Sequence, residues 1–206
     1  MDFDSSFGSS LVLRSDRVLL RSLQPADLNE LRLISGDPSL WHWFTRRLNE
    51  PGELETWLQE SIDQRTARVR FPFTVIDLTG AESAADSRVA GSSSFGNISF
   101  PDKRIEIGWT WYGNHFRGSG INLHCKLLML QYAFEKLCFE RVEFKTDALN
   151  NRSRAALIKI GAKEEGILRS HMLMPGNRRR DSVYFSVLRE EWPEVKQRLH
   201  LLISSL

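Results

Sequence analysis

Between a strand-like run ending near Trp111 and a strongly helical run beginning near Asn122 stands Arg117-Gly118-Ser119-Gly120-Ile121-Asn122. Two closely spaced glycines permit a tight turn, and the helix that follows must leave its first N–H groups without intrahelical partners. Those groups carry partial positive charge, so strand, glycine turn and helix in this order make an anion site suited to a pyrophosphate. Many ordinary strand-to-helix turns look the same, and the rest of the chain must decide which phosphate ligand fits. One class drops out at once: no Lys-Ser/Thr pair follows the second glycine, as a nucleotide hydrolase would need to grip phosphates and magnesium.

The 206 residues suffice for one domain with a substantial core, and 41% hydrophobic with 26% charged residues is ordinary globular composition. A formal net charge of +2 lacks the basic surplus that grips DNA or RNA, so no nucleic-acid partner is expected. Met1 to Ser10 has neither the basic nor the apolar part of a secretory signal, and no run of about 18 apolar residues occurs. No membrane partner and a cytoplasmic location are therefore expected. Cys125 and Cys138 fall in one predicted helix, too far apart along its axis to pair, so reduced thiols are expected. No Cys/His cluster has metal-ligand spacing, and no metal is expected.

Residues 1–10 are polar and Ser-rich and read as a flexible arm; residues 11–206 read as a single domain. A first strand is predicted over Val18 to Ser22. Pro25 and Asp27 then open a short helix carried by Leu28, Leu31 and Ile34 and stopped at Gly36-Asp37-Pro38. The aromatic run Leu40 to Phe44 precedes a second amphipathic helix through Leu54, Trp57, Leu58 and Ile62. Strands follow at Phe73 to Leu78, Arg88 to Phe95 and Arg104 to Tyr112, the first two joined by a flexible hairpin loop over Thr79 to Ser87. Strict alternation in the third would put Ile105, Ile107, Trp109 and Trp111 on one face, and Glu106, Gly108, Thr110 and Tyr112 on the other. Beyond the glycine loop, Leu123, Leu127, Leu130, Phe134 and Leu137 mark the longest helix. A strand over Arg141 to Thr146, a helix ending at Gly161, a hairpin turning at Pro175-Gly176-Asn177 and a last helix, Glu190 to Leu202, complete the chain.

This order of elements resembles the GNAT acyl-CoA N-acyltransferase fold, an α/β (α+β) architecture, from residue 11 to about residue 190. Arg117-Gly118-Ser119-Gly120-Ile121-Asn122 is similar to the family's acetyl-CoA loop, Q/R-x-x-G-x-G/A, with Asn122 departing from the small final residue. Asn150-Asn151-Arg152-Ser153, followed by Gly161-Ala162, resembles the N-x-x-S and G-A/F signature of the RimJ/RimL-like N-acetyltransferase branch. The resemblance implies a mixed central sheet flanked by helices, in which Arg104 to Tyr112 and Arg141 to Thr146 are parallel and splayed. It further implies that acetyl-CoA is the cosubstrate and that its pantetheine arm enters the opening like a missing strand.

From the same resemblance, Asn150 would hydrogen-bond the cofactor arm and Ser153 would partner the departing thiolate. Serine does not ionise near neutral pH, so its useful act is hydrogen-bond donation; its bland reading is a helix-start cap. The tyrosine that other branches place seven residues after the asparagine is Leu157 here. Backbone groups of Trp109 and Trp111 are candidates to contact pantetheine and polarise the thioester, and the loop residues Arg117 to Asn122 would hold the diphosphate. Glu106 is the most plausible base, directly or through water, against a simple arginine-paired carboxylate. His115 reads as a base, a phosphate contact or, more simply, a solvated loop residue, His124 and Cys125 as packing, and Arg178-Arg179-Arg180 as a solvated hairpin or an attraction for an acidic acceptor. His42 can join a substrate lip in the aromatic run, where at least two rings read as core. The expected reaction is direct attack by a primary amine, of a protein N-terminus or a small molecule, on acetyl-CoA; the alternative is an acyl-CoA-binding or sensing module without turnover. Exposed aromatics and the closing hairpin leave room for a homodimer.

Overall fold

Eight strands in the order β1-β2-β3-β4-β5-β6-β8-β7 make one mixed sheet, and only one neighbouring pair in it is parallel. The computed structural model describes residues 2–8, 10–81 and 88–206. The strands are β1 (Val12–Arg14), β2 (Val18–Ser22), β3 (Phe71–Asp77), β4 (Arg88–Ser99), β5 (Arg104–Tyr112), β6 (Arg141–Asp147), β7 (Lys163–Leu173) and β8 (Arg179–Leu188). The helices are α1 (Phe3–Ser6), α2 (Leu28–Ser35), α3 (Glu53–Thr66), α4 (Ile121–Gln131), α5 (Asn151–Ile160) and α6 (Trp192–Ser204). The expected elements are thus present, with β1 added as an antiparallel partner of β2; the helix after the glycine loop is not one uniform α-helix, because α4 ends at Gln131 and a π-helical turn over Tyr132–Lys136 carries it on. Three residues with an apolar centre are too short a run to show a period of two. The hairpin loop expected over Thr79 to Ser87 lies mostly outside the described residues.

Two cores form because the sheet has two faces. The larger packs Ile105, Ile107, Val142 and Phe144 against α4 and α6. The smaller packs Leu23, Leu31, Trp41, Trp57 and Trp111 with α2 and α3. Trp111 sits edge-on to both Trp41 and Trp57, at centroid distances of 5.0 and 5.8 Å. This corrects the strict alternation expected for β5, which would have placed Trp111 beside Ile107. The reason is a bulge: Ser92 pairs with Trp111 and Ser94 with Gly108, so two residues of β5 oppose one of β4. Trp109 lies within it at φ 52°, and the faces exchange beyond it.

The amino-terminal arm is also corrected. Asp2 caps α1 by accepting from the Ser5 N–H at 2.9 Å, and Phe3 and Phe7 are buried in the larger core. Phe7 stacks on Phe71 at 5.4 Å and approaches Phe95 at 5.7 Å. Two aromatic rings four apart among serines are a sparse signal, which local polarity masked.

Among the described residues no helix is long and apolar enough to cross a membrane, and no three His, Cys, Asp or Glu residues cluster as metal ligands.

Candidate active site

The parallel pair decides the shape of the site. β5 and β6 pair at Arg104 with Arg141, Ile105 with Val142 and Glu106 with Glu143, and then pairing stops. β6 continues to Asp147 paired only with β8, while β5 continues to Tyr112 along β4. Peptide groups of β5 beyond Glu106 that face β6 therefore have no strand partner, an arrangement an extended ligand can satisfy.

At the open end of this gap lies the glycine loop. Gly118 and Gly120 adopt φ of 84° and 92°, which L side chains rarely do, and Gly120 is the residue at which α4 starts. Among the described residues, the N–H groups of Gly118, Ser119, Gly120, Ile121 and Asn122 donate to nothing. The Ser119 hydroxyl donates back to the Phe116 carbonyl at 2.8 Å, bracing the turn. The Asn122 side chain accepts from the Tyr112 hydroxyl at 3.3 Å, so it faces the protein while its main chain faces out. Burial lowers the Arg117 guanidinium, and the nearby Arg152 cation lowers it further. Arg117 and Arg152 thus lie within electrostatic reach of one another, and neither has a carboxylate within 4.0 Å among the described residues. Arg152 was missed in the motif because its position there is variable; its convergence on Arg117 exists only in the folded chain.

Across the gap, Asn150 starts α5 and its Oδ1 accepts from the Ser153 N–H at 3.1 Å. Asn150 is therefore the cap, and Ser153 is not. The Ser153 hydroxyl, half-buried, has no hydrogen bond to described residues. Leu157 is buried one turn further on and offers no hydroxyl.

Glu106 is 2% exposed, and its partner is a lysine rather than an arginine. Oε2 accepts from Lys145 Nζ at 3.1 Å and from Asn97 Nδ2 at 2.5 Å, while Oε1 lies over the α-carbon of Gly108 without a hydrogen bond to described residues. The Trp109 ring sits against Gly96, flanked by Lys145 at 5.6 Å and Arg70 at 5.1 Å from its ring centre. His115 is exposed against the Phe116 ring, and His42 is exposed against Trp43. Trp41 and Phe44 pack with the smaller core. His124 bonds the Ser15 hydroxyl at 3.2 Å, and burial pushes the Cys125 thiol up to about 12, so neither is a nucleophile.

Lys126 escaped the sequence reading altogether. It is buried on α4 with its ammonium 5.1 Å from the centre of the Phe144 ring, has no ion pair among the described residues, and is pushed down to about 8 by burial.

The acetyltransferase (GNAT) domain pattern matches residues 17–163. The chain belongs to the GNAT acetyltransferase family. It is 29% identical over 182 residues to YdaF of Bacillus subtilis (strain 168), whose name gives it a provisional ribosomal N-acetyltransferase role; the match covers 86% of this chain and 94% of YdaF. A GCN5-related N-acetyltransferase from Brucella melitensis superposes with a TM-score of 0.84 at 27% identity, covering 96% of this chain and 87% of the other. An acetyltransferase structure from T. thermophilus is 32% identical with a TM-score of 0.79, over 92% and 95% of the two chains. Mycobacterium smegmatis RimJ, solved with CoA-disulfide, shares the fold at 20% identity and a TM-score of 0.76 over 93% of each chain. The GNAT member described here is accordingly an N-acetyltransferase.

Proposed function

We propose that this GNAT chain moves an acetyl group from acetyl-CoA to a primary amine in the cytoplasm, with a protein N-terminus the first acceptor to try. The observation that carries this reading is the gap between β5 and β6, which leads to five loop amides without partners among the described residues. Acetyl-CoA supplies an activated thioester and a diphosphate handle. The chain holds the diphosphate with Gly118 to Asn122 and Arg117, and lays the arm along the unpaired edge of β5 at Trp109 and Trp111.

Asn150, with Oδ1 engaged by Ser153 N–H, offers its Nδ2 to the arm. The Ser153 hydroxyl donates to the departing thiolate, which needs no ionised serine. Glu106 takes the amine proton at Oε1 through water, while Lys145 and Asn97 hold Oε2. A weak base suffices for an α-amine of pKa about 8, which is already partly neutral at physiological pH. YdaF's name and the RimJ-like motif favour a protein acceptor.

Release of free thiol from acetyl-CoA, measured over N-terminal peptides, lysine peptides and small amines, tests the reading. Turnover on α-amines above lysine side chains is expected. Tight CoA binding with no thiol release on any acceptor would overturn it.

A further inference from the structure

The face of the sheet opposite α4 carries charges that do not cancel. Lys145 and Asp147 on β6 pair with Tyr184 and Ser182 on β8, and Arg180 follows two residues before Ser182 on the same face. Lys145 is matched by Glu106 at 3.1 Å, and Arg178 by the buried Asp147. Those two pairs neutralise one another, and Arg180 remains. It is 7% exposed, its side chain makes no hydrogen bond or ion pair with described residues, and its Nε is sealed from solvent without a partner. Burial lowers its guanidinium, Asp147 and Glu106 work against that and Arg178 adds to it, so Arg180 lies within electrostatic reach of the carboxylate assigned to the amine proton.

A buried arginine serving only the fold is normally tied down through its fork of donors. Arg70, the other buried arginine with unpaired nitrogens, donates to Ser61 at 2.5 Å and stacks on Trp109. Arg180 has no comparable anchor. An arriving anion offsets the cost of burying such a group, and one uncompensated charge on a planar fork matches a monoanionic carboxylate.

We infer that the acceptor carries a carboxylate close to its reacting amine and that Arg180 binds that carboxylate. This rests on the acetyl-transfer reading and names its substrate class. The carboxylate comes either from an acidic side chain next to a peptide N-terminus or from the α-carboxylate of a free amino acid.

The test is equilibrium binding to the full chain saturated with CoA, so that no turnover is needed. One pair of probes is a short peptide with Glu or Gln at its second position; the other is a free amino acid and its amide. The charged member of one pair should bind more tightly by on the order of tenfold to a hundredfold, and which pair responds identifies the source. Arg180→Met should reduce that preference to within about threefold at undiminished thermal stability, and Arg180→Lys should restore part of it. Equal binding within both pairs, absence of binding by all four probes, or a preference that survives in Arg180→Met would overturn the inference. Carboxylate-dependent binding without acetylation of the same probes would leave it standing and count instead against the transfer reading.

Discussion

Ser153 and Asn150 divide two tasks that a sequence cannot separate. Both residue types cap helices, and only the bond from Ser153 N–H to Asn150 Oδ1 shows which one does so and which hydroxyl is left for chemistry. Ser153→Ala should therefore lower kcat by about tenfold to a hundredfold while acetyl-CoA affinity and melting temperature stay near wild type. A stability loss with unchanged kcat would make it a structural residue. Lys126 was illegible for a different reason: a lysine beside an apolar helical stripe reads as solvated, and its burial follows from where α4 crosses β6. Its folded pKa, about 8, lies below the free value, so the unfolded chain binds the proton more tightly. The penalty is complete below pH 8 and fades as pH rises toward about 10.5. Lys126→Met should thus stabilise the protein by about 1–3 kcal/mol at pH 7, and chemical denaturation should show that gain shrinking between pH 8 and pH 10.5. A gain independent of pH would contradict the burial argument.

The bulge in β5 and the helix at the amino terminus show what element-level patterns convey. Arg104–Tyr112 was readable as a strand because β-formers alternate, yet the extra residue at Trp109 depends on how β4 pairs, which lies outside any local window. The bulge sets Trp109 beside Lys145, the partner of Glu106, while Trp111 enters the second core. Gly161 as the stop of α5 and the turn after Met174 were legible because positive φ and turn chemistry are local demands. For α1, composition pointed the wrong way: two phenylalanines outweigh the serines around them once β3 and β4 supply a surface. Phe7→Ala should cost about 3 kcal/mol in urea unfolding, as expected for emptying a buried aromatic site. A cost below about 0.5 kcal/mol would restore the picture of a loose arm.

At the scale of the whole molecule, the sheet is antiparallel except where the site is. A parallel pair requires a crossover, and here α4 supplies it, so one connection both creates the β5–β6 junction and presents its amino terminus at the mouth of the gap. The two motifs carried this much of the site in the sequence, because glycine at positive φ and an asparagine cap are backbone requirements with few substitutes. Glu106 was legible as a candidate base and Arg178-Arg179-Arg180 as a solvated hairpin or an attraction for an acidic acceptor, but that Arg180, Lys145 and Glu106 come together depends on how three strands pair, which no local window conveys. In the proposed mechanism one ligand spans the loop and the unpaired edge of β5. Amide hydrogen exchange, followed residue by residue with and without CoA, addresses both ends at once. Saturation with CoA should slow exchange together at Gly118 to Asn122 and within Ile107 to Trp111; unchanged exchange in both segments, or protection confined elsewhere, would contradict it.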